Sequence, residues 1–136
     1  MAFSDQNHPR RSFVTGGASG FGLGIAKALL EKGAQVAIGD IHPGRLEEAT
    51  RVLNSEYVLP VKLDVTVPSS VRDAIDICKK QFGGLDTLVN SAGVIHITPL
   101  NAITEEEWDH VIDVDLKGPF LTSQAAAPLL CDSGRG

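Results

Sequence analysis

Cysteine is scarce in this sequence: Cys78 and Cys131 are the only two. They lie far apart, without C-x-x-C spacing and without His or Asp at ligand intervals, so neither a disulfide framework nor a cysteine metal centre is expected. Cys78 sits among Val71, Ile75 and Ile77, where it reads as a small buried hydrophobe. Histidine is equally thin. His8, His42, His96 and His110 do not cluster at metal spacing, and each is expected on the surface or in a loop. His96, after the fourth predicted strand, is a candidate for substrate contact. Positive charge is short as well: 12 Lys and Arg against 17 Asp and Glu give a net charge of −5. That balance carries no electrostatic footprint for nucleic acid or for an anionic membrane. Arg10-Arg11 is a basic cluster expected as a solvated approach to the first strand. No apolar run nears membrane-spanning length, and the polar N-terminus lacks the apolar core of a signal peptide. A cytoplasmic protein is the default expectation.

What is present is an alternation of short apolar runs with helical patterns, without repeats, low-complexity tracts or linkers. Residues 1–11 read as a flexible N-terminus and residues 12–136 as one domain. Strands are predicted over 12–15, 35–39, 57–63 and 85–90. Helices are predicted over 21–32, ending at Gly33 with Phe21, Ile25, Ala28 and Leu29 on one face, and over 44–53, opened by Pro43. A third helix runs over 68–82 between Pro68 and the Gly83-Gly84 stop. Thr104 and Glu107 have capping-box spacing, and Glu105 to Glu107 bring negative charge to a helix start. That helix is expected to turn Trp108, Val111, Ile112 and Leu116 to the core and to reach Leu130. Strand–helix alternation with continuous apolar strands implies a doubly wound α/β domain around a parallel sheet.

The chemistry gathers at the ends of the strands. After the first comes Thr15-Gly16-Gly17-Ala18-Ser19-Gly20-Phe21-Gly22, leading straight into a helix. Such glycines let the backbone approach a pyrophosphate, and the helix N-terminus behind them offers unpaired N–H groups. A tight turn alone would explain two of the glycines; the strand-to-helix context is what favours phosphate. The second strand ends at Asp40, followed by Ile41 where a reader of NADP places arginine, and Arg45 is the only cation nearby. A carboxylate there accepts both adenosine ribose hydroxyls and repels the extra phosphate of NADP, so NAD is preferred over NADP. Asp64-Val65 closes the third strand, where the carboxylate can accept the adenine amino group and Val65 can cover the ring. The fourth ends Asn90-Ser91-Ala92-Gly93, small residues against which a ribose can lie, with the Asn90 amide free to brace neighbouring strands. Taken singly each is as well explained by a turn or a solvated carboxylate. All four fall on the edge where open α/β sheets bind ligands.

These residues together resemble the short-chain dehydrogenase/reductase family. Thr15-Gly16-x-x-x-Gly20-x-Gly22 is similar to its cofactor loop, Asp64 to its adenine contact, and Asn90-Ser91-Ala92-Gly93 to its N-N-A-G motif with one residue changed. The stretch WDHVIDVDLKGPF, from Trp108 to Phe120, looks like the family's fifth-helix signature. The resemblance implies a Rossmann-type fold and hydride transfer between NAD(H) and a small alcohol or ketone. It implies cofactor contacts at Thr15, Gly16, Ser19, Gly20, Phe21 and Gly22, at Asp40 and Ile41, at Asp64 and Val65, and at Asn90, Ala92 and Gly93. It also implies homo-oligomers of the full-length family, built on a shared helical surface.

Two departures matter. Asp115 stands where the family has a catalytic Asn. The family also continues, beyond the equivalent of Gly134-Arg135-Gly136, to a catalytic Ser and a Tyr-x-x-x-Lys pair. The only tyrosine here, Tyr57, is followed four places later by Val61, so no substitute pair exists. The chain therefore reads as the NAD-binding portion of such an oxidoreductase, incomplete after the fifth helix and expected to bind cofactor without turnover. A non-catalytic NAD-binding module or sensor, and a non-functional truncation product, remain as alternatives. Pro119 cannot donate to the carbonyl of Asp115 one turn earlier, so it either presents that carbonyl to a proton-relay water or, with Gly118, breaks the helix. A buried Asp115 carboxylate would be costly without the family lysine.

Overall fold

The computed structural model describes residues 8–135. Four strands form one parallel sheet: β1 (Arg11–Thr15), β2 (Gln35–Asp40), β3 (Val58–Lys62) and β4 (Thr87–Asn90). Their order is β3-β2-β1-β4, so the winding direction reverses between β1 and β4. Helices α1 (Gly20–Glu31), α2 (Pro43–Leu53) and α3 (Pro68–Phe82) fill the crossovers. Beyond β4, the one-turn 3-10 segment Leu100–Ala102 precedes α4 (Glu105–Ile112). The π-helical turn Asp113–Lys117 then leads directly into α5 (Gly118–Ser133). This is the doubly wound α/β architecture the sequence predicts.

Both faces of the sheet are covered. Phe13, Ala37, Val61 and Leu63 pack with α3 residues Val71, Ala74, Ile75 and Cys78, and with Val114 and Ala126. On the other face Val14, Val36 and Ile38 pack with Ala26 of α1 and with Leu46 and Ala49 of α2. Burial on both faces explains why β1 and β2 read as unbroken apolar runs. Pro60, which cannot donate to a ladder, lies in β3 at one edge of the sheet.

Helix ends obey their local chemistry. Pro68 opens α3 and Gly83, at φ 76°, ends it in the left-handed region. Thr104 accepts from the Glu107 N–H while the Glu107 carboxylate accepts from the Thr104 N–H, a complete capping box.

Several expectations are corrected. The buried side of α1 is Gly22 and Ala26, whereas Phe21 is 90% exposed and Ala28 faces solvent. A helix laid this closely on a sheet uses its smallest residues at the contact, so side-chain size misleads about the face. Trp108 and Leu116 are 61% and 65% exposed rather than turned to the core. The π turn changes the helical period after Ile112, so the extrapolation to Leu116 fails; nothing in the period explains the exposure of Trp108. Gly118-Pro119 does not break the helix: Gly118 bonds back to the Asp113 carbonyl and Pro119 sits in the first turn of α5. The third and fourth strands are shorter than predicted, beginning at Val58 and Thr87.

Arg11 is also not a solvated approach to β1 but its first residue. Its backbone N–H, Nε and Nη2 all donate to the Asp86 carboxylate at 2.8 to 2.9 Å. Arg135 Nη2 adds a fourth bond at 3.0 Å, and the Asp86 side chain is fully buried beneath the two guanidinium groups. Burial alone would push this carboxyl up, but the hydrogen bonds and charge of Arg11, with the charge of Arg135, bring it down to about 2. Residues 1–7, most of the predicted flexible N-terminus, lie outside the described residues.

Candidate functional site

A cavity of about 590 Å³ opens at the carboxyl ends of the strands, beside the point where the winding reverses. It is lined by residues 16, 19–22, 39–42, 45, 63–66 and 91–94, and by 110, 113 and 114 from α4 and the π turn. Gly16, Ser19, Gly20, Phe21, Gly22, Asp40, Ile41, Asp64, Val65, Ala92 and Gly93 thus come together in its wall. Thr15, Asn90 and Asp115 do not line it; Thr15 and Asp115 each hold a backbone segment that does, and Asn90 fastens β4 to α5.

Thr15 is buried at the end of β1, and its Oγ1 accepts the N–H groups of Ser91 and Ala92, both at 3.1 Å. One hydroxyl thereby fixes the turn after β4 against the turn after β1. Gly16, at φ 62°, completes the fit: a Cβ there would lie 2.8 Å from the Ala92 backbone. A Cβ on Gly22 would overlap the Gly16 carbonyl oxygen. The loop therefore closes on the start of α1 only with glycine at both places. Ser19, at the N-cap, makes no side-chain cap bond, and no acidic residue lies in the first turn. Gly20 to Gly22 thus bring uncapped amides and the positive helix end to the cavity wall, a cradle suited to phosphate.

Asp40 is 7% exposed at the end of β2, with Oδ1 accepting the His42 N–H at 3.0 Å. The bond fixes the carboxylate at the cavity wall. Arg45 lines the same region from α2 and is the one arginine or lysine among the lining residues described. Asp64, just past β3, forms a tight turn, its Oδ1 accepting both the N–H and the hydroxyl of Thr66, at 2.9 and 2.7 Å. Its own N–H donates to Ser70 Oγ at 3.0 Å.

Asn90 braces a helix rather than the neighbouring strands. Its Oδ1 accepts from Thr122 Oγ1 at 2.6 Å and its Nδ2 donates to Ser123 Oγ at 3.2 Å, tying β4 to α5. Asp115 is exposed, so the burial cost expected of a buried carboxylate does not arise. Its Oδ1 accepts the Val94 N–H at 2.9 Å and anchors the start of the loop after β4. Glu107 holds the far end of that loop, accepting from Thr98 Oγ1 at 2.9 Å. The Thr104 N–H, then the Thr98 hydroxyl, lower the Glu107 carboxyl below its ordinary value.

Sequence reasoning missed part of the wall. His110 is exposed, as expected of a surface residue, and from α4 it also lines the cavity together with Asp113 and Val114. Their i, i+3, i+4 spacing was the available signal. His96 sits beside it, the two rings 5.5 Å apart, and its Nδ1 is 4.0 Å from Glu107 Oε1. No group of three or more His, Cys, Asp or Glu among the described residues could hold a metal ion. No described helix is long and apolar enough to cross a membrane.

A parallel sheet with a glycine cradle at its first strand–helix turn and a buried acid at the end of its second strand defines a Rossmann-type nucleotide-binding domain. Comparison with known proteins makes this specific: the short chain dehydrogenase family model matches residues 11–136. The chain belongs to that family of oxidoreductases, which bind a nicotinamide cofactor and act on small molecules. Galactitol 2-dehydrogenase of Agrobacterium fabrum is 36% identical over 125 residues, 92% of this chain and 48% of that protein. An uncharacterized oxidoreductase of Staphylococcus aureus is 37% identical over 123 residues, 90% of this chain and 53% of that one. The solved structure of 3-ketoacyl-(acyl-carrier-protein) reductase from Brucella melitensis complexed with NADH superposes with a TM-score of 0.88 at 29% identity. It is matched over 92% of this chain and 52% of its own. The apo form of LigO from Sphingobium sp. strain SYK-6 gives a TM-score of 0.85 at 33% identity, over 93% of this chain and 48% of its own. The chain thus spans about half the length of the relatives it matches.

Proposed function

We propose that these 136 residues form the cofactor-holding portion of an oxidoreductase that moves hydride between NAD(H) and an alcohol or ketone. The observation that carries the reading is one continuous cavity joining the glycine cradle to buried Asp40. Amides at the start of α1 hold the pyrophosphate, and Asp40 accepts from the adenosine ribose hydroxyls. A carboxylate fixed at that point disfavours the additional phosphate of NADP, which supports NAD as the preferred cofactor. Arg45 is the only arginine or lysine on the described wall that could offset it. When bound, the cofactor supplies the hydride donor or acceptor.

Asp115 acts in this reading through both its groups. Its carboxylate holds Val94, and its main-chain carbonyl is denied the usual helical donor because Pro119 has no N–H. The carbonyl is thereby suited to hold a water of a proton relay in the full-length family protein. The exposed Trp108, Leu116 and Phe120 on α4, the π turn and α5 fit a homo-oligomer of that protein.

A second reading, binding without turnover, is favoured for this stretch by Tyr57. It lies at the amino end of β3, away from the cavity at the carboxyl ends. Fluorescence titration with NADH and NADPH, together with turnover assays on a panel of secondary alcohols, tests both readings. Binding of NADH in preference to NADPH is expected, without turnover by these residues alone. Failure to bind either dinucleotide contradicts the proposal.

A further inference from the structure

We propose that a second binding site, for a small organic carboxylate, lies at the amino ends of the strands, independent of the cofactor reading above. A cavity of about 400 Å³ opens there between His8, Pro9, Arg11, Gln35, Phe82 and Arg135. Arg11 and Gln35 are the first residues of β1 and β2. The cavity therefore lies a strand length, about 15 Å, from the glycine turn at the other end of β1. Phe82 closes α3 and Arg135 follows the end of α5, so the chain brings these residues together only on folding.

The charge of the cluster is unbalanced. Among the described residues Asp86 is the one carboxylate bonded to Arg11 and Arg135, a single negative charge against two guanidinium groups. No acidic side chain is among the described residues that line the cavity. The Arg11 and Arg135 side chains keep only 20% and 22% of their exposure, so water screens the surplus positive charge in part. Donors are unspent as well. Arg11 Nη1, Arg135 Nε and the Gln35 side-chain amide have no hydrogen-bond partner among the described residues. Arg135 Nη1 reaches only the His8 carbonyl, at 3.5 Å. Gly84 makes room for the arrangement, since an added Cβ there would overlap Arg11 Nη1.

The chemistry that completes this cluster is a carboxylate. A guanidinium fork matches two carboxylate oxygens, as Arg11 already does with Oδ1 and Oδ2 of Asp86. A monocarboxylate brings the one negative charge that Asp86 leaves wanting. Phe82 and Pro9 give the same cavity an apolar wall for the body of the acid, and its volume suits a molecule the size of benzoate.

Benzoate is the probe, titrated at constant ionic strength into the 15N-labelled 136-residue chain. The Nε–H signals of Arg11 and Arg135 and the Gln35 side-chain amide should shift and saturate, with a Kd on the order of 1 mM. Arg135→Gln should weaken binding about tenfold, the scale of one charge-assisted hydrogen bond. Asp86 keeps its three bonds from Arg11 in that variant. Should its spectrum show misfolding, Gln35→Ala carries the test, with binding about threefold weaker. Inorganic phosphate should bind less tightly than benzoate, and NADH should not displace it. Shifts that never saturate, or affinity unchanged in a folded variant, overturn the site. Tighter binding of phosphate overturns the carboxylate assignment, and displacement by NADH puts benzoate in the other cavity and overturns it too. Failure of the chain to bind NADH contradicts the cofactor reading and leaves this site standing.

Discussion

Asp115 Oδ1 accepts the backbone N–H of Val94 at 2.9 Å, so the carboxylate at the family's Asn position anchors the loop after β4. Loss of the acceptor in Asp115→Ala should speed amide hydrogen exchange at Val94 by about tenfold, the worth of one ordinary hydrogen bond. Asp115→Asn keeps an acceptor oxygen and should exchange nearly as the unmodified chain does. Exchange at Val94 unaffected by the Ala variant would show that the loop is held by something else.

Acid stability should report the Asp86 cluster. A carboxyl lowered to about 2 in the folded chain stabilises in full above its ordinary value of 3.8 and loses that contribution as pH falls towards 2. Asp86→Ala leaves Arg11 and Arg135 without their carboxylate and should cost about 3 kcal/mol near neutral pH. That is the lower end for a broken buried pair, because both guanidinium groups keep some solvent contact. Asp86→Asn should flatten the acid limb of the denaturation profile between about pH 4 and 2. Urea unfolding across pH measures both effects.

The two thiols should differ in reactivity. Burial pushes the Cys78 thiol up to about 12, whereas Cys131 is exposed on α5. A disulfide reagent at neutral pH should titrate one thiol in the native chain and both in denaturant. Rapid modification of both in the native state would contradict the packing of α3 on the sheet.

Asp40→Ala removes the carboxylate proposed to accept the ribose hydroxyls. NADH affinity should fall by about tenfold while NADPH affinity holds or rises, as expected on losing a charge-assisted hydrogen bond and a repulsive charge together. Paired titrations of the variant give the ratio directly. An unchanged ratio would take Asp40 out of the discrimination.

Much of the fold and site is legible in the sequence wherever a local rule acts alone. Pro68 and Gly83 delimit α3, Thr104 and Glu107 form their box, and the glycine cradle falls at the turn after β1. What escapes depends on distant partners. Asp86 reads as one more residue of a short strand, and only the fold brings Arg11 and Arg135 onto it. Thr15 and Asn90 read as ligand contacts because they flank the site; the bonds of their side chains to Ala92 and Thr122 come only with the fold. His110 and Asp113 line the cavity because the fold sets α4 and the π turn beside the ends of the strands, which helical spacing alone does not reveal.

The central claim is that the cavity beyond the strand ends holds a nicotinamide dinucleotide. Amide hydrogen exchange with and without saturating NADH tests it most directly. The account predicts slower exchange confined to the segments that line the cavity, at 16–22, 40–42, 64–66 and 91–94, together with His110 to Val114. Exchange unchanged by NADH, or protection lying elsewhere in the chain, would contradict it.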